Sequence, residues 1–272
     1  MLVSIVTPSF KRLNHLKKNY CQIQKIYNSF KDFEWIIVLE NNDYPTINYI
    51  RKLNKKFIKL IIANFKSADK AFNEGIKKSC GKYIIFHGDD DFFVNKNILN
   101  AFRYLQLHKS TNWLIGYGSY CDENFNEKRV ITTRIKNIFL NENYQSLIKL
   151  INYIMTPSVI LKKKIYEEFN YTNPSILYGT DYDLWVRVNK KYKFKVFKKK
   201  LCISQFHYNT KTGTFDFNRY FVQFRFLFKN SDNLFLLPFQ FLIVCYVCFY
   251  NFIKKISYAN RKKKSFKINQ ST

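Results

Sequence analysis

The sequence predicts an α/β fold, a doubly wound and mostly parallel sheet flanked by helices, with a hydrophobic and basic helical extension at its C-terminal end. Three observations carry this reading. Short apolar runs alternate with helix-like stretches from residue 2 to residue 87. The glycine-rich phosphate loops G-x-G-x-x-G and G-x-x-x-x-G-K-[ST] do not follow any of those runs. Three consecutive aspartates, Asp89, Asp90 and Asp91, follow the fourth run in a chain with 46 Lys+Arg against 19 Asp+Glu.

The elements read in order. Residues 2–7 form a strand, and 13–30 a helix. Residues 34–39 are a second strand, 46–55 a helix, 57–63 a third strand and 69–79 a helix. Residues 84–87 are the fourth strand, which Gly88 breaks. This β-α-β order implies parallel strands joined by right-handed crossovers. Beyond residue 110 the alternation changes. Residues 113–120 and 130–134 read as strands, 144–153 as a helix and 158–162 as a strand. Asp181 is placed to open a helix that turns Leu184, Trp185 and Val188 to the core. Residues 193–206 read as a last strand pair.

The aspartate triplet is the strongest chemical signal. Adjacent like charges repel, so a fold keeps them where water, a counter-charge or a cation absorbs the charge. The carboxyl end of a strand is where open α/β sheets bind ligands. A solvated loop is the plain reading. A site for a hard divalent cation, Mg²⁺ or Mn²⁺, is the alternative. With no phosphate loop available, a metal held by these acids would give a nucleotide's phosphates their binding device.

Composition limits the partners. A net charge of +27 points to an anionic membrane surface or a nucleic acid, while Lys, Asn, Ile, Phe and Tyr in such excess is also what an AT-rich genome writes. No recognisable nucleic-acid module interleaves arginines with stacking aromatics, so nucleic acid is not expected as a partner. The six cysteines follow no framework spacing, and the opening Leu2-Val-Ser-Ile-Val6 carries no basic leader. A reduced, cytoplasmic setting is expected. Cys245 and Cys248 lie in an apolar run without partner ligands.

An ordered set of motifs now resembles a known family. The set is Val3-Ser-Ile-Val-Thr-Pro-Ser-Phe10-Lys-Arg12, Trp35-Ile-Ile-Val-Leu-Glu40-Asn-Asn-Asp43, Ala71-Phe-Asn73-Glu-Gly75, and Gly81-Lys-Tyr-Ile-Ile-Phe-His-Gly-Asp89-Asp-Asp91. It continues with Thr180-Asp181-Tyr-Asp-Leu-Trp185 and Phe206-His207. Together these resemble the inverting, GT-A-fold glycosyltransferases of family two, over roughly residues 1–212. The resemblance implies a Rossmann-like GT-A catalytic domain, a nucleotide-sugar donor and a divalent metal.

It also implies roles for single residues. Thr7, Pro8 and Arg12 border the nucleobase and diphosphate. Glu40 contacts base or ribose, in a segment where the family usually has two Asp before Gly-Ser. Asn73 lies against the donor. Asp90 is the metal ligand, with Asp91 behind or beside it, and Asp89 faces the ribose or the metal's waters. Gly88 stands where relatives have the first acid. His207 completes the metal site. Asp181 is the general base that takes the acceptor's proton, with Asp183 as its substitute, and Thr180 replaces a frequent Glu.

Residues 234–253 carry no charge, and seven basic residues with no acid lie between 234 and the chain end. A helix of that length reaches roughly 30 Å, about the thickness of a hydrocarbon core. A single span would export the basic tail, against the positive-inside tendency. In-plane or re-entrant attachment to anionic head groups, a true span and a soluble arrangement all stay open. The expected organisation is a catalytic domain over 1–212 and a membrane-associating extension over 213–272, peripheral on the inner face of the cell membrane. The expected activity is sugar transfer to a hydroxyl of a saccharide or lipid-linked saccharide in surface-polysaccharide synthesis. Transfer to polyprenyl phosphate, or an inactive membrane-peripheral binding protein, are the alternatives.

Overall fold

Uninterrupted apolar runs build the sheet. In β2 (Phe33–Glu40) seven of eight residues are buried, as expected of a strand covered by helices on both faces. β1 (Val3–Ser9) pairs in parallel with β2 on one side and with β4 (Tyr83–Phe86) on the other, and β3 (Ile58–Ala63) extends β2 in parallel. The crossovers are α1 (Leu13–Ser29), α2 (Tyr44–Leu53) and α3 (Ala68–Lys77). The structure, a computed structural model, describes residues 1–176 and 178–206 together with Pro238, Leu242, Cys245 and Phe249.

The second half adds β5 (Asp91–Phe93), α4 (Asn95–Leu107), β6 (Trp113–Cys121), β7 (Glu127–Lys128) and α5 (Val130–Phe139). It closes with β8 (Val159–Lys162), α6 (Lys163–Glu168), α7 (Thr180–Lys191) and β9 (Lys195–Gln205). The sheet order is β3-β2-β1-β4-β8-β6-β9-β5, with β7 paired to β6. β8 and β5 run antiparallel to their neighbours, while β6 and β9 pair in parallel through a register shift near Gly116 and Tyr117. The sheet is therefore mixed but mostly parallel.

Three expectations fail here. Residues 130–134 form the first half of α5 rather than a strand, because Thr133 and Asn137 turn inward, where Thr133 is buried and Asn137 bonds a β6 carbonyl. Residues 193–206 hold one long strand, β9: pairing with β6 skips Lys198 and Lys199 as a bulge and resumes at Lys200, so the chain does not turn back. Residues 144–153 contribute only to a 3₁₀ segment, Glu142–Lys149.

The core between α1, α4 and the sheet is aromatic and aliphatic, with Trp35, Phe33, Phe102 and Ile23 fully buried. Each such side chain stabilises the fold by about 1.5–3 kcal/mol through burial. On the other face α3 approaches β1 closely because residue 75 is glycine: a Cβ there would stand 2.3 Å from Val6 Cγ1. On α7, Leu184, Trp185 and Val188 are buried as their spacing predicts.

The chain forms two compact units, Met1–Ile176 with Thr180–His207, and Leu177–Gly179 with Tyr208–Thr272. His207 and nearly all of residues 208–272 lie outside the described residues, so the expectations for His207 and for the 234–253 segment fall there. Among the described residues no helix is long and apolar enough to cross a membrane.

Candidate active site

Parallel pairing sets Val6 beside Phe86 and Ser9 beside Leu39, so β1, β2 and β4 end at one edge of the sheet. The aspartate loop leaves that edge. Ser9 Oγ donates to Asp89 Oδ2 at 2.6 Å. Arg12 Nη1 donates to Asp89 Oδ1 and to Asp90 Oδ2, each at 2.9 Å. Asn19, fully buried on α1, donates through its side-chain amide to the carbonyls of Gly88 and Asp89. Gln205 N donates to the Asp90 carbonyl at 3.0 Å, which ties the end of β9 to the same loop.

The three acids have different surroundings. Asp90 is the most open, with its side chain 23% exposed. Asp89 is buried; desolvation raises its pKa, opposed by the bonds from Ser9 and Arg12. Asp91 is fully enclosed, bonded to Ser204 and accepting from Gly88 N at 2.8 Å. Burial first, then repulsion from Asp90, pushes its carboxyl up to about 7. Burial disfavours the Arg12 charge, but the Asp89 and Asp90 carboxylates outweigh it and hold the guanidinium cationic. His87 lies beneath the loop against Phe93, fully buried, with both ring nitrogens lacking a hydrogen-bond partner; desolvation lowers its pKa to about 3. A side chain at residue 88 would crowd the loop, since a Cβ there would stand 2.6 Å from Asp91 Oδ2. Gly88 therefore fits an enclosed Asp91.

A raised carboxyl pKa favours the folded state when protonated, so Asp91 contributes stability below about pH 4 that is lost as pH rises through about 7. In metal-free buffer the difference in unfolding free energy between the native chain and Asp91→Asn is expected to shift by a few kcal/mol between about pH 5 and 8. It shifts against the native chain as pH rises. Denaturant titrations at the two pH values measure this.

Several expected donor-side residues are occupied otherwise. The Thr7 side chain is buried and accepts from Trp35 Nε1 at 2.9 Å, which leaves its backbone at the strand end. Pro8 continues β1 toward the site edge. Glu40 accepts from the backbone N–H groups of Phe65 and Lys66, organising the loop between β3 and α3. Asp43, not singled out from the sequence for this role, accepts from Lys11 N at 2.6 Å and Thr46 Oγ1 at 2.8 Å. It holds Lys11 at a left-handed φ of 54°, the turn that aims Arg12.

Asn73 is hydrogen-bonded to Thr172 through both ends of its amide. Its Nδ2 donates to the Thr172 carbonyl, while its Oδ1 accepts from Thr172 N and Thr172 Oγ1. Asn73→Ala leaves these buried groups unpaired and is expected to cost about 1–3 kcal/mol, seen as a lowered urea midpoint.

The second acidic position lies on α7. Thr180 Oγ1 donates to Asp69 Oδ1 at 2.6 Å, pinning the start of α7 to α3. Asp181 accepts from Tyr182 N at 2.8 Å and from the hydroxyl of Thr156. Thr156 belongs to a 3₁₀ turn, Thr156–Ser158, packed against β4, β6 and β9. The Asp183 carboxylate pairs with Arg187, which also bonds the Phe169 and Tyr171 carbonyls.

Residues 4–169, more than half of the 272-residue chain, match the family described as Glycosyl transferase family 2. This chain belongs to that family. An uncharacterized glycosyltransferase of Rickettsia felis is 26% identical over 81% of this chain, which spans only 35% of that relative's length. The Escherichia coli UDP-Glc:alpha-D-GlcNAc-diphosphoundecaprenol beta-1,3-glucosyltransferase WfaP is 25% identical over 70% of this chain and 71% of its own. Staphylococcus aureus TarS 1–349 in complex with UDP-GlcNAc matches with a TM-score of 0.62 at 15% identity, over 86% of this chain and 68% of that one. Mannosyltransferase PcManGT of Pyrobaculum calidifontis, in complex with GDP-Man and Mn²⁺, matches with a TM-score of 0.60 at 11% identity, over 84% and 62%. The fold of this family 2 chain is GT-A.

The donor set suits a hard divalent cation, since the loop offers carboxylate oxygens and Asp90 is partly open. Among the described residues no three His, Cys, Asp or Glu side chains converge as a metal cage. An ion held here would need further ligands from a bound molecule or water, as Mg²⁺ has at phosphate sites.

Proposed function

We propose that this family 2 member is a metal-dependent, inverting glycosyltransferase that moves a sugar from a nucleoside-diphosphate donor to a hydroxyl of a saccharide or lipid-linked saccharide. The observation that carries the reading is the Arg12–Asp89–Asp90 cluster at the carboxyl edge of a parallel sheet. The catalytic domain is residues 1–212, and residues 213–272 form the membrane-associating extension. A lipid-linked acceptor is supported by the likeness to WfaP, whose name specifies a diphosphoundecaprenol acceptor.

Asp90, with Asp91 behind it, would hold Mg²⁺ or Mn²⁺, and His207 is proposed as a further ligand. The bound cation supplies positive charge that offsets the charge developing on the departing nucleoside diphosphate. Arg12 pairs two carboxylates without ligand and is placed to exchange them for phosphate oxygens. Ser9 keeps Asp89 oriented from β1. Glu40, Asn73 and the backbone at Thr7 and Pro8 shape the nucleoside side of the site.

Asp181 acts as the general base. Its carboxylate takes the proton from the acceptor hydroxyl as that oxygen attacks the anomeric carbon opposite the leaving group, which inverts the anomeric configuration. Thr156 fixes the carboxylate's orientation. Thr156→Val is expected to lower kcat about tenfold with donor KM unchanged, because one oriented hydrogen bond is lost.

The site of action is the inner face of the cell membrane, where nucleotide sugars meet lipid-linked acceptors. Leu242 and Phe249, helical positions of the extension, are both exposed apolar residues, which suits interfacial attachment. The reading is tested by incubating the full chain with UDP-, GDP-, dTDP- and CMP-sugars, Mn²⁺ and polyprenyl-diphosphate-linked GlcNAc. Release of nucleoside diphosphate or monophosphate and a product of inverted anomeric configuration is expected for one donor. No release with any donor points instead to a binding protein.

A further inference from the structure

Helix α5 is inside out. Its inward side carries Thr133, which is buried, and Asn137, whose Nδ2 donates to the Gly118 carbonyl of β6. Its outward side carries Ile131, Ile135 and Ile138, which are 74%, 47% and 66% exposed. Spacings of four and three put the isoleucines on one stripe, and Arg134 is exposed among them. A helix that contributes only to its own domain places such residues the other way round. Three β-branched apolar side chains turned to water imply something that covers them.

We propose that the Ile131–Ile135–Ile138 face of α5 docks on an anionic phospholipid surface, laying the catalytic domain against the bilayer. This deepens the membrane part of the function proposed above and rests on it. Charge favours this occupant. α5 carries Arg134 and Lys136 and no acid, and the whole chain carries +27, so an anionic surface attracts the face that the isoleucines then enter. The stripe is small for a stable pairing of two chains, which takes about 20–30 residues a side. It is well sized for one interfacial helix whose apolar edge enters the head-group boundary.

The position of α5 gives the docking a use. Gly118, bonded to Asn137, also abuts Met155, whose Sδ would stand 2.6 Å from a Cβ at residue 118. Met155 precedes Thr156, which bonds Asp181. The proposed membrane face and the proposed base are thus supported by the same stretch of β6. An acceptor anchored in the bilayer by its lipid would reach the base side of the site with its sugar.

The test places a tryptophan on the face. Trp35, Trp113 and Trp185 are buried, so Ile135→Trp in the full chain adds an exposed reporter. Leu107→Trp, at an 81% exposed position on α4, serves as the control. Vesicles of phosphatidylcholine and phosphatidylglycerol with brominated acyl chains quench only an indole that enters the hydrocarbon boundary. Quenching is expected at residue 135 and not at 107, and it should weaken with phosphatidylcholine alone and at high salt. The double variant Ile131→Glu/Ile135→Glu should weaken vesicle binding by at least about tenfold with its melting temperature unchanged. No donor or acceptor is present, so failure here is separate from failure of the sugar-transfer reading. Vesicle binding without quenching at residue 135 would overturn the proposal. So would equal quenching at 107, no vesicle binding, or a solution dimer that Ile135→Glu converts to monomer.

Discussion

Asp181→Asn is expected to lower kcat by about 10²–10⁴-fold, the usual contribution of a positioned general base. Donor KM and the thermal midpoint should change little. The amide keeps the shape of the carboxylate: its oxygen still accepts from Tyr182 N, and its NH2 group donates to the Thr156 hydroxyl in place of accepting from it, so the start of α7 stays in place. What it cannot do is take a proton. Steady-state rates of nucleoside-diphosphate release measure this, and a single-turnover experiment separates the chemical step from product release. Asp183→Asn is the informative contrast. It breaks the pair with Arg187 and is expected to lower stability by about 1–3 kcal/mol while leaving a measurable rate.

Asp90→Ala is expected to remove activity to background at any attainable Mn²⁺ concentration. The loss differs from that of Asp181→Asn in kind. Truncating Asp90 leaves Arg12 paired with Asp89 alone and removes the most open carboxylate of the loop. Both donor binding and leaving-group stabilisation fall, so kcat/KM drops more than kcat. The fold should survive, because the loop is also held by Asn19, by the Gln205 N–H and by the Asp91–Gly88 bond.

Much of this arrangement was legible in the sequence, for identifiable reasons. β1, β2 and β4 are covered on both faces, so they read as unbroken apolar runs. The aspartates stood out because their charge opposes that of the chain. α5 was misread because Val130, Ile131, Thr132 and Thr133 are β-branched, a strand-like run, whereas packing on β6 favours a helix. Residues 193–206 read as a strand pair, and only pairing with β6 through a shifted register shows β9 to be continuous. β5 is three residues long, too short for any periodicity.

The supporting residues of the site are the part the sequence hid. Asn19 left a trace: Leu16, Asn19, Ile23 and Ile26 share the buried face of α1, so a polar residue stands where an apolar one is expected. Thr156, Ser9 and Asp43 left none. Their partners lie 25, 80 and 32 residues away, and only the folded chain brings them together. The resemblance places Thr7 beside the donor, and its hydroxyl accepts from the Trp35 indole in the core, a contact that pattern alone does not reveal.

The central claim is that the aspartate loop binds a nucleoside diphosphate through a divalent metal. Calorimetric titration of UDP and GDP into the native chain and into Asp90→Ala, each with and without Mn²⁺, tests it most directly. Mn²⁺ is expected to tighten binding of one nucleotide to the native chain by at least about tenfold, and Asp90→Ala to abolish this gain. Equal affinity with and without Mn²⁺, or an undiminished gain in Asp90→Ala, would contradict it.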